Sequence, residues 1–256
     1  MHLTLRARIV AALCVAAPMG AIAQTDSPGA APPARLPPVV VTATRTEALA
    51  FDLPASISRI GGDEVRDGHA QINISESLGG VPGLLARDRQ NYAQDVQISV
   101  RGFGARSSFG IRGVRLYVDG IPATLPDGQG QISNVELGSV GRIEVLRGPF
   151  SALYGNSSGG VIQVFTEDGE GAPTLRFDAA GGSDGLLRYG AQARGTVGTM
   201  SYSLSASRFR TDGYRDHSAT ERTLGNAKLT LRPDADTKLR WSPTTWRCPK
   251  RRTRWA

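Results

Sequence analysis

The chain has 256 residues, of which 40% are hydrophobic and 21% charged, as expected for one or two folded domains. Its 31 glycines, 15 prolines and 6% aromatic residues favour turns and short strands, which argues against a helical bundle. The net charge of +7 comes from Arg6 and Arg8 and from basic residues in the last ten positions, so the body is neutral and nucleic acid is not expected as a partner.

Residues 1–23 have the layout of a secretory signal peptide. Arg6 and Arg8 precede an apolar run that ends in an A-x-A cleavage site at residues 21–23. The run is too short to span ~30 Å of hydrocarbon. A lipoprotein anchored through Cys14 would need a small residue in place of Leu13. Cleavage would remove Cys14, and Cys248 lies in the basic tail, so no disulfide or thiolate metal site is expected in the exported body.

Residues 24–50 are predicted to be a flexible linker that carries one strand-forming segment. The stretch 25–38 is rich in Ala, Pro, Asp and Ser and too poor in apolar residues to fold. The sequence VVVTATRTE follows at residues 39–47 and favours a strand. This segment is either the first strand of the next domain or a strand that adds itself to another protein's sheet edge.

Residues 51–168 predict a small mixed α/β domain. A capping-box pattern at Asn73 and Glu76, followed by Gly79, predicts a short helix at 74–78. Strands are expected at 84–86, 96–100, 114–118, 142–146 and 161–165, with a reversal at Asp119-Gly120. Two long, polar, Gly-rich loops at 101–113 and 122–131 are more often functional than structural in such a domain.

Catalytic motifs in this domain lack the context that they need. Residues 155–159, GNSSG, fit a hydrolase nucleophile elbow, but a strand follows the serine where a helix is required. Ser107 replaces the third glycine of a dinucleotide-binding loop. His69 and His217 have no metal-ligand spacing. The sequence therefore predicts neither an enzyme nor a cofactor.

Residues 169–240 change to long strands in which apolar and polar side chains alternate. The alternation covers residues 175–179, 187–194, 202–206 and 226–232, with turn residues between them. Such a pattern is typical of a transmembrane β-barrel, and a soluble sheet with one wet face is the alternative. Export through a signal peptide favours the membrane interpretation.

Several of these segments resemble the TonB-dependent outer-membrane receptors of Gram-negative bacteria. VVVTATRTE is similar to the family's TonB box, while IRGVRLYVDGIP (111–122) and GRIEVLRGPFSALYGNSSGGVIQVFTE (141–167) resemble its plug domain. The resemblance implies an α+β plug domain followed by the first antiparallel strands of an incomplete transmembrane β-barrel. It also implies active uptake of an iron chelate, a siderophore or ferric citrate, with TonB and outer-membrane lipid as partners. A stand-alone periplasmic plug-like binding module is the alternative.

The resemblance also implies roles for individual residues. TonB would bind Val39, Val40, Val41, Thr42, Ala43 and Thr44 by strand addition. Arg101, Glu144 and Arg147 would hold the plug by pairing with barrel carboxylates beyond this chain, the alternative being surface charges at strand ends. Arg106, Phe109, Asp127 and Gln129 are the candidate ligand contacts. Arginine suits anionic iron chelates, and copper, cobalamin or sugar ligands remain open.

Residues 241–256 form an aberrant tail. Barrels of this kind have about 22 strands of ~9–11 residues, and the residues after Asp168 suffice for roughly five. A chain that ends there is expected to be transport-incompetent. The tail WSPTTWRCPKRRTRWA lacks both alternation and acidic residues. We hypothesise a reading-frame shift near Trp241, which the nucleotide sequence of the gene would test.

Overall fold

The structure is a computed structural model that describes residues 40–42, 48–49, 52–53, 55–89, 92, 94–125, 127–155, 157–215, 218–234 and 237–247. The predicted signal peptide, most of the predicted linker, Val39, Ala43, Thr44 and residues 248–256 lie outside the described residues. Among the helices that are described, none is long and apolar enough to cross a membrane.

The described elements are short in the first part of the chain and long in the second. In chain order they are β1 (Val40–Val41), β2 (Ala48–Leu49), β3 (Ser56–Gly61), α1 (Gly62–Arg66), α2 (Ser75–Leu78), β4 (Leu84–Arg87), β5 (Gln97–Val100), β6 (Val114–Val118), β7 (Ile121–Pro122), β8 (Val140–Arg147), α3 (Ser151–Tyr154), β9 (Gly160–Thr166), β10 (Thr174–Gly181), β11 (Leu187–Val197), β12 (Met200–Thr211), β13 (Thr220–Leu231), β14 (Leu239–Trp241) and β15 (Thr244–Arg247). A 3-10 helix, Leu137–Ser139, leads into β8.

A five-stranded mixed sheet forms the centre of the α/β domain, in the order β3-β8-β9-β6-β7. Strands β6 and β9 are parallel, and the other neighbours are antiparallel. Strand β9 is buried along nearly its whole length, which explains its almost continuous apolar sequence. The five strands predicted in this domain are present as β4, β5, β6, β8 and β9.

One predicted local motif in this domain forms completely and a second forms in part. Asp119 and Gly120 have φ values of +49° and +84°, as a type I′ turn requires, and they reverse the chain between β6 and β7. At α2, the Glu76 carboxylate accepts the backbone N–H of Asn73 at 2.8 Å, which is half of the predicted capping box. The Asn73 side chain instead donates to Asp88 at 3.1 Å.

The second sheet is an antiparallel meander whose strands reach 12 residues. Its order is β10-β11-β12-β13-β14, and β15 pairs with β13 as well. Pairing thus extends to Arg247, inside the predicted aberrant tail. A two-residue turn joins β11 to β12, with Gly198 at φ +60° as its first central residue. Longer connections, residues 182–186 and 212–219, join the strands at the opposite end.

The two faces of this sheet are inverted relative to those of a soluble sheet. Its polar face is the buried one, and packs on the α/β domain through Arg188, Gln192, Ser201, Ser203, Arg222, Asn226, Lys228 and Thr230. Its apolar face is open, with Leu175 63% and Phe177 72% exposed. A sheet in water would forgo about 1.5–3 kcal/mol for each large apolar side chain left outside. The arrangement is typical of strands whose outer face meets lipid.

Buried ion pairs fasten the strands to the α/β domain. Lys228 on β13 pairs with Asp168 at 2.8 Å and with Asp119 at 3.4 Å, and it donates to the carbonyl of Thr166 at 2.9 Å. The Asp119 carboxylate also accepts the backbone N–H of Thr166 at 3.0 Å. One buried cation therefore links the β6–β7 turn, the end of β9 and strand β13.

Strand β11 makes a second buried connection. Glu167 pairs with Arg194 at 2.9 Å, accepts from Gln192 at 2.8 Å, and pairs with Arg66 of α1 at 2.9 Å. Arg188 pairs with Glu136 at 3.5 Å. Arg188 and Glu136 are both buried, so each needs the other as its partner across the interface.

We expect Leu204→Arg to destabilise the chain in phospholipid vesicles by about 2–4 kcal/mol, because a cation on the lipid-facing side of a barrel strand is costly near the midplane. The control is Leu125→Arg, in a loop of the α/β domain. The two leucines are 43% and 44% exposed, so they differ in location and not in burial. Urea unfolding of the vesicle-inserted chain measures both. Equal losses in the two variants would contradict a lipid-facing side.

We expect Lys228→Met to destabilise the chain by about 3–5 kcal/mol at pH 7, because it leaves the buried Asp119 carboxylate without a cation and Asp168 with only the exposed Lys238 and Arg240 near it. Burial alone would raise the pKa of Asp168, but the hydrogen bond and charge of Lys228 lower it below 3.8. The stabilisation from Asp168 is therefore present above pH 3.8 and lost as the pH falls through its lower, folded-state pKa.

Denaturant unfolding at pH 7 and at pH 3 tests this, and the difference between wild type and Lys228→Met should shrink at the lower pH. Lys238→Met is the control, since Lys238 lies 3.8 Å from the same carboxylate but is exposed. It should cost less than about 1 kcal/mol. Similar losses of unfolding free energy in the two variants would show that the burial of Lys228 does not increase its contribution to stability.

Candidate functional site

A buried carboxylate holds the segment that precedes the α/β domain. Strand β1 pairs with β2, Val40 opposite Leu49 and Val41 opposite Ala48. Immediately after β1, the backbone N–H and the hydroxyl of Thr42 both donate to Glu144 Oε2, at 2.9 and 3.0 Å. Glu144 is fully buried in β8, where water cannot replace these donors.

The remaining bonds around Thr42 complete the attachment. Arg142 Nε donates to the second oxygen of Glu144 at 2.8 Å, and its guanidinium lies 3.9 Å from the centre of the Phe165 ring. The hydroxyl of Tyr154 donates to the carbonyl of Thr42 at 3.3 Å. Side chains of the domain thus occupy both main-chain polar groups of Thr42, the groups that strand addition to a partner would use.

The predicted charge cluster is distributed over three separate places. Glu144 binds Thr42 and Arg142, which the sequence did not single out. Arg147 donates to the carbonyl of Pro82 at 2.7 Å and to Ser58 Oγ at 3.1 Å. Arg101 is exposed, and its backbone N–H donates to the carbonyl of Gly83 at 2.8 Å. Pairing of these groups with barrel carboxylates stays a prediction.

The two long loops of the α/β domain are joined to each other. Ile111 and Gly130 exchange two backbone hydrogen bonds, at 3.1 and 2.7 Å. Arg112, which the sequence did not suggest, pairs with Asp127 at 3.1 Å across the loops. This ion pair partly neutralises the negative charge of the Asp127 carboxylate.

The four candidate ligand contacts therefore lie on one connected loop surface. Arg106, Phe109 and Asp127 are exposed, and Phe109 is 69% exposed. Gln129 is half-buried, and its side chain lies directly over Gly110, where a Cβ would come within 2.1 Å of it. The surface offers a guanidinium and an aromatic ring to a ligand. Within the described part of the chain, no group of three or more His, Cys, Asp or Glu residues could hold a metal ion.

Comparison with known proteins identifies the α/β domain. Residues 50–161 match the family described as the TonB-dependent Receptor Plug Domain. The Vitamin B12 transporter BtuB of Photobacterium profundum is 33% identical over 183 residues, which cover 71% of this chain and 28% of that protein. The Ferrienterobactin receptor of Escherichia coli (strain K12) is 29% identical over 173 residues, covering 62% and 22%.

Solved structures share the fold. The pyoverdine outer membrane receptor FpvA from Pseudomonas aeruginosa PAO1, bound to pyoverdine, has a TM-score of 0.67 and 19% identity, covering 79% of this chain and 29% of that chain. The ferric yersiniabactin uptake receptor FyuA from Yersinia pestis has a TM-score of 0.57 and 26% identity, covering 74% and 31%.

These comparisons confirm the predicted fold class, a plug domain followed by antiparallel strands like those that begin a receptor barrel. The strands do not close into a barrel within the described residues. The chain spans less than a third of the length of each of these four relatives. Residues 50–161 therefore belong to the family of TonB-dependent receptor plug domains, and the chain shares its fold with outer-membrane receptors.

Proposed function

We propose that the chain is the N-terminal part of an outer-membrane receptor for the active uptake of an iron chelate, a siderophore or ferric citrate, and that TonB supplies the energy. The names of its relatives support an iron chelate, since they include a ferrienterobactin receptor and a ferric yersiniabactin uptake receptor. The inverted faces of the long strands support a membrane location over a stand-alone periplasmic module. Membrane fractionation of the expressed chain separates these two alternatives.

The attachment of Thr42 to Glu144 is the observation that carries the TonB proposal. Thr42, within residues 39–44, is bound to the domain through the fully buried side chain of Glu144. A strand added to TonB needs the main-chain N–H and C=O groups that Glu144 and Tyr154 now occupy. TonB binding and attachment to the plug domain are therefore competing states of Thr42.

Cobalamin is the second candidate ligand, because the relative with 33% identity is a vitamin B12 transporter. The exposed Arg106 favours an anionic chelate, since a guanidinium pairs with carboxylates. A contribution of the Arg106 charge to binding would therefore distinguish an anionic iron chelate from cobalamin.

We expect Arg106→Ala to weaken the binding of ferric citrate to the full chain by about tenfold, because a charge-assisted hydrogen bond contributes about 1.5–3 kcal/mol. Arg87→Ala, which removes an exposed arginine from β4, is the control and should leave binding unchanged. Equilibrium titration with ferric citrate and with cyanocobalamin provides the measurement. Binding of cyanocobalamin alone, insensitive to Arg106→Ala, would replace the iron chelate with cobalamin.

We expect Glu144→Gln and Thr42→Pro to change TonB binding in opposite directions, although both disturb the same contact. Glu144→Gln removes the charge that holds Thr42, and it should raise the affinity for the periplasmic domain of TonB about tenfold in the absence of ligand. Thr42→Pro also frees the segment, but it removes the N–H donor and should abolish strand addition.

Surface-immobilised TonB measures both affinities, and Glu170→Gln, at an exposed carboxylate, is the control for charge. Faster hydrogen exchange of the Thr42 amide in Glu144→Gln would report release of the segment independently of TonB. If Thr42→Pro binds TonB as wild type does, residues 39–44 are not the TonB-binding segment. If exchange and affinity are unchanged in Glu144→Gln, the attachment does not compete with TonB.

A further inference from the structure

The outward face of β12 changes from apolar to charged along the strand. Because alternate residues of a strand share a face, the outward residues of β12 run in the order Met200, Tyr202, Leu204, Ala206, Arg208 and Arg210. The short Gly198-Thr199 turn lies at the Met200 end, and the eight-residue connection lies at the other. Outer-membrane strands have short turns on the periplasmic side and longer loops outside. The two arginines therefore lie toward the cell exterior.

A groove of about 550 Å³ lies directly below Arg208 on the same face. Its floor is formed by Ala191 and Ala206, which are paired across β11 and β12, and Gly225 continues this row of small residues in β13. Phe177 and Tyr189 form its side, and both are exposed. Among the residues that line the groove, Arg208 is the cation and Asp178 the acid, and Asp178 is paired with the buried Arg188. The groove is apolar along its floor and positive at its outer end.

The depth of Arg208 fits a lipid headgroup. It lies eight residues beyond Met200, roughly 26 Å along the strand and about 20 Å along the membrane normal at a tilt of about 40°. The apolar band of an outer-membrane barrel is about 25 Å tall, so an extended arginine side chain reaches its outer margin. Glu221 on β13 pairs with Arg208, and Arg210 is exposed. With two guanidinium groups and one carboxylate, the cluster keeps a net positive charge.

We propose that this groove binds a phosphorylated lipid of the outer leaflet. An acyl chain would lie over Ala191 and Ala206, and a headgroup phosphate would pair with Arg208 and Arg210, because guanidinium groups bind phosphate through paired hydrogen bonds. Charge complementarity selects this occupant over a second copy of the chain, whose own groove would present the same cations. The inference rests on the outer-membrane location proposed above.

The test compares two probes on the full chain in detergent micelles: lipid A with both phosphates, and the same lipid after their removal. We expect wild type to bind the phosphorylated form at least about tenfold more tightly, as measured by native mass spectrometry. The double variant Arg208→Gln/Arg210→Gln should lose this preference. The control Arg215→Gln should keep it, because Arg215 is an exposed arginine of the adjacent connection. Ala206→Trp, which fills the groove, should weaken the binding of both forms.

Three results would overturn the inference: equal binding of the two lipids by wild type, a preference that survives in the double variant, or a dimer of the chain that the phosphorylated lipid does not displace. The comparison of the two lipids on wild type needs no variant, so it holds even if a variant fails to fold. Absence of the chain from the outer-membrane fraction would instead refute the proposed location. A membrane-bound chain without headgroup preference refutes the lipid site alone.

Discussion

The structure depends on pairing charges that are buried between the plug domain and the long strands. Lys228, Arg188 and Arg222 all point from the sheet toward the domain and are almost fully buried. A buried charge without a partner costs several kcal/mol, so each position on the sheet requires a complementary group on the domain. Asp119, Asp168, Glu136 and the backbone carbonyl of Ser133 are among the groups that meet them. These pairs therefore define which strand positions meet which groups of the domain.

The same principle explains the inverted faces of the sheet. The side that looks polar in the sequence is the one that is buried, because the plug domain presents carboxylates, hydroxyls and carbonyls there. One aromatic contact adds to them near the 212–219 connection, where the rings of Tyr92 and Phe209 lie 4.8 Å apart. The outer side can then remain apolar along most of β10 to β13 without exposing a core to water, provided that lipid covers it.

Much of the fold could be predicted from the sequence, since alternation and turn chemistry are local. The strands of the plug domain, the Asp119-Gly120 turn and the alternating strands after residue 168 were predicted and are present. Strand β3 was missed because Ile57 and Ile60 are three residues apart, which breaks the alternation of a strand. It forms because β8 offers it a paired edge, which is a tertiary effect.

The site was harder to predict for the same reason. Glu144 could be recognised as a charge within an apolar strand, but its partner Thr42 lies 102 residues away along the chain. The roles of Arg188 and Lys228 depend on which face of the sheet meets the domain, and alternation alone does not give that direction. The sequence placed Arg106 and Asp127 on loops, but it did not predict the ion pair of Arg112 with Asp127 that joins the two loops.

The site that binds the ammonium group of Lys228 has a consequence for the order in which the chain folds. It is made from the reversal at Asp119, the carbonyl of Thr166 and the carboxylate of Asp168, and these groups come together only after β6 and β9 have paired. Before that pairing, the domain offers Lys228 no complete binding site, and a slip of β13 by one residue would turn the ammonium group outward. The plug domain thus offers a template on which the long strands can be aligned.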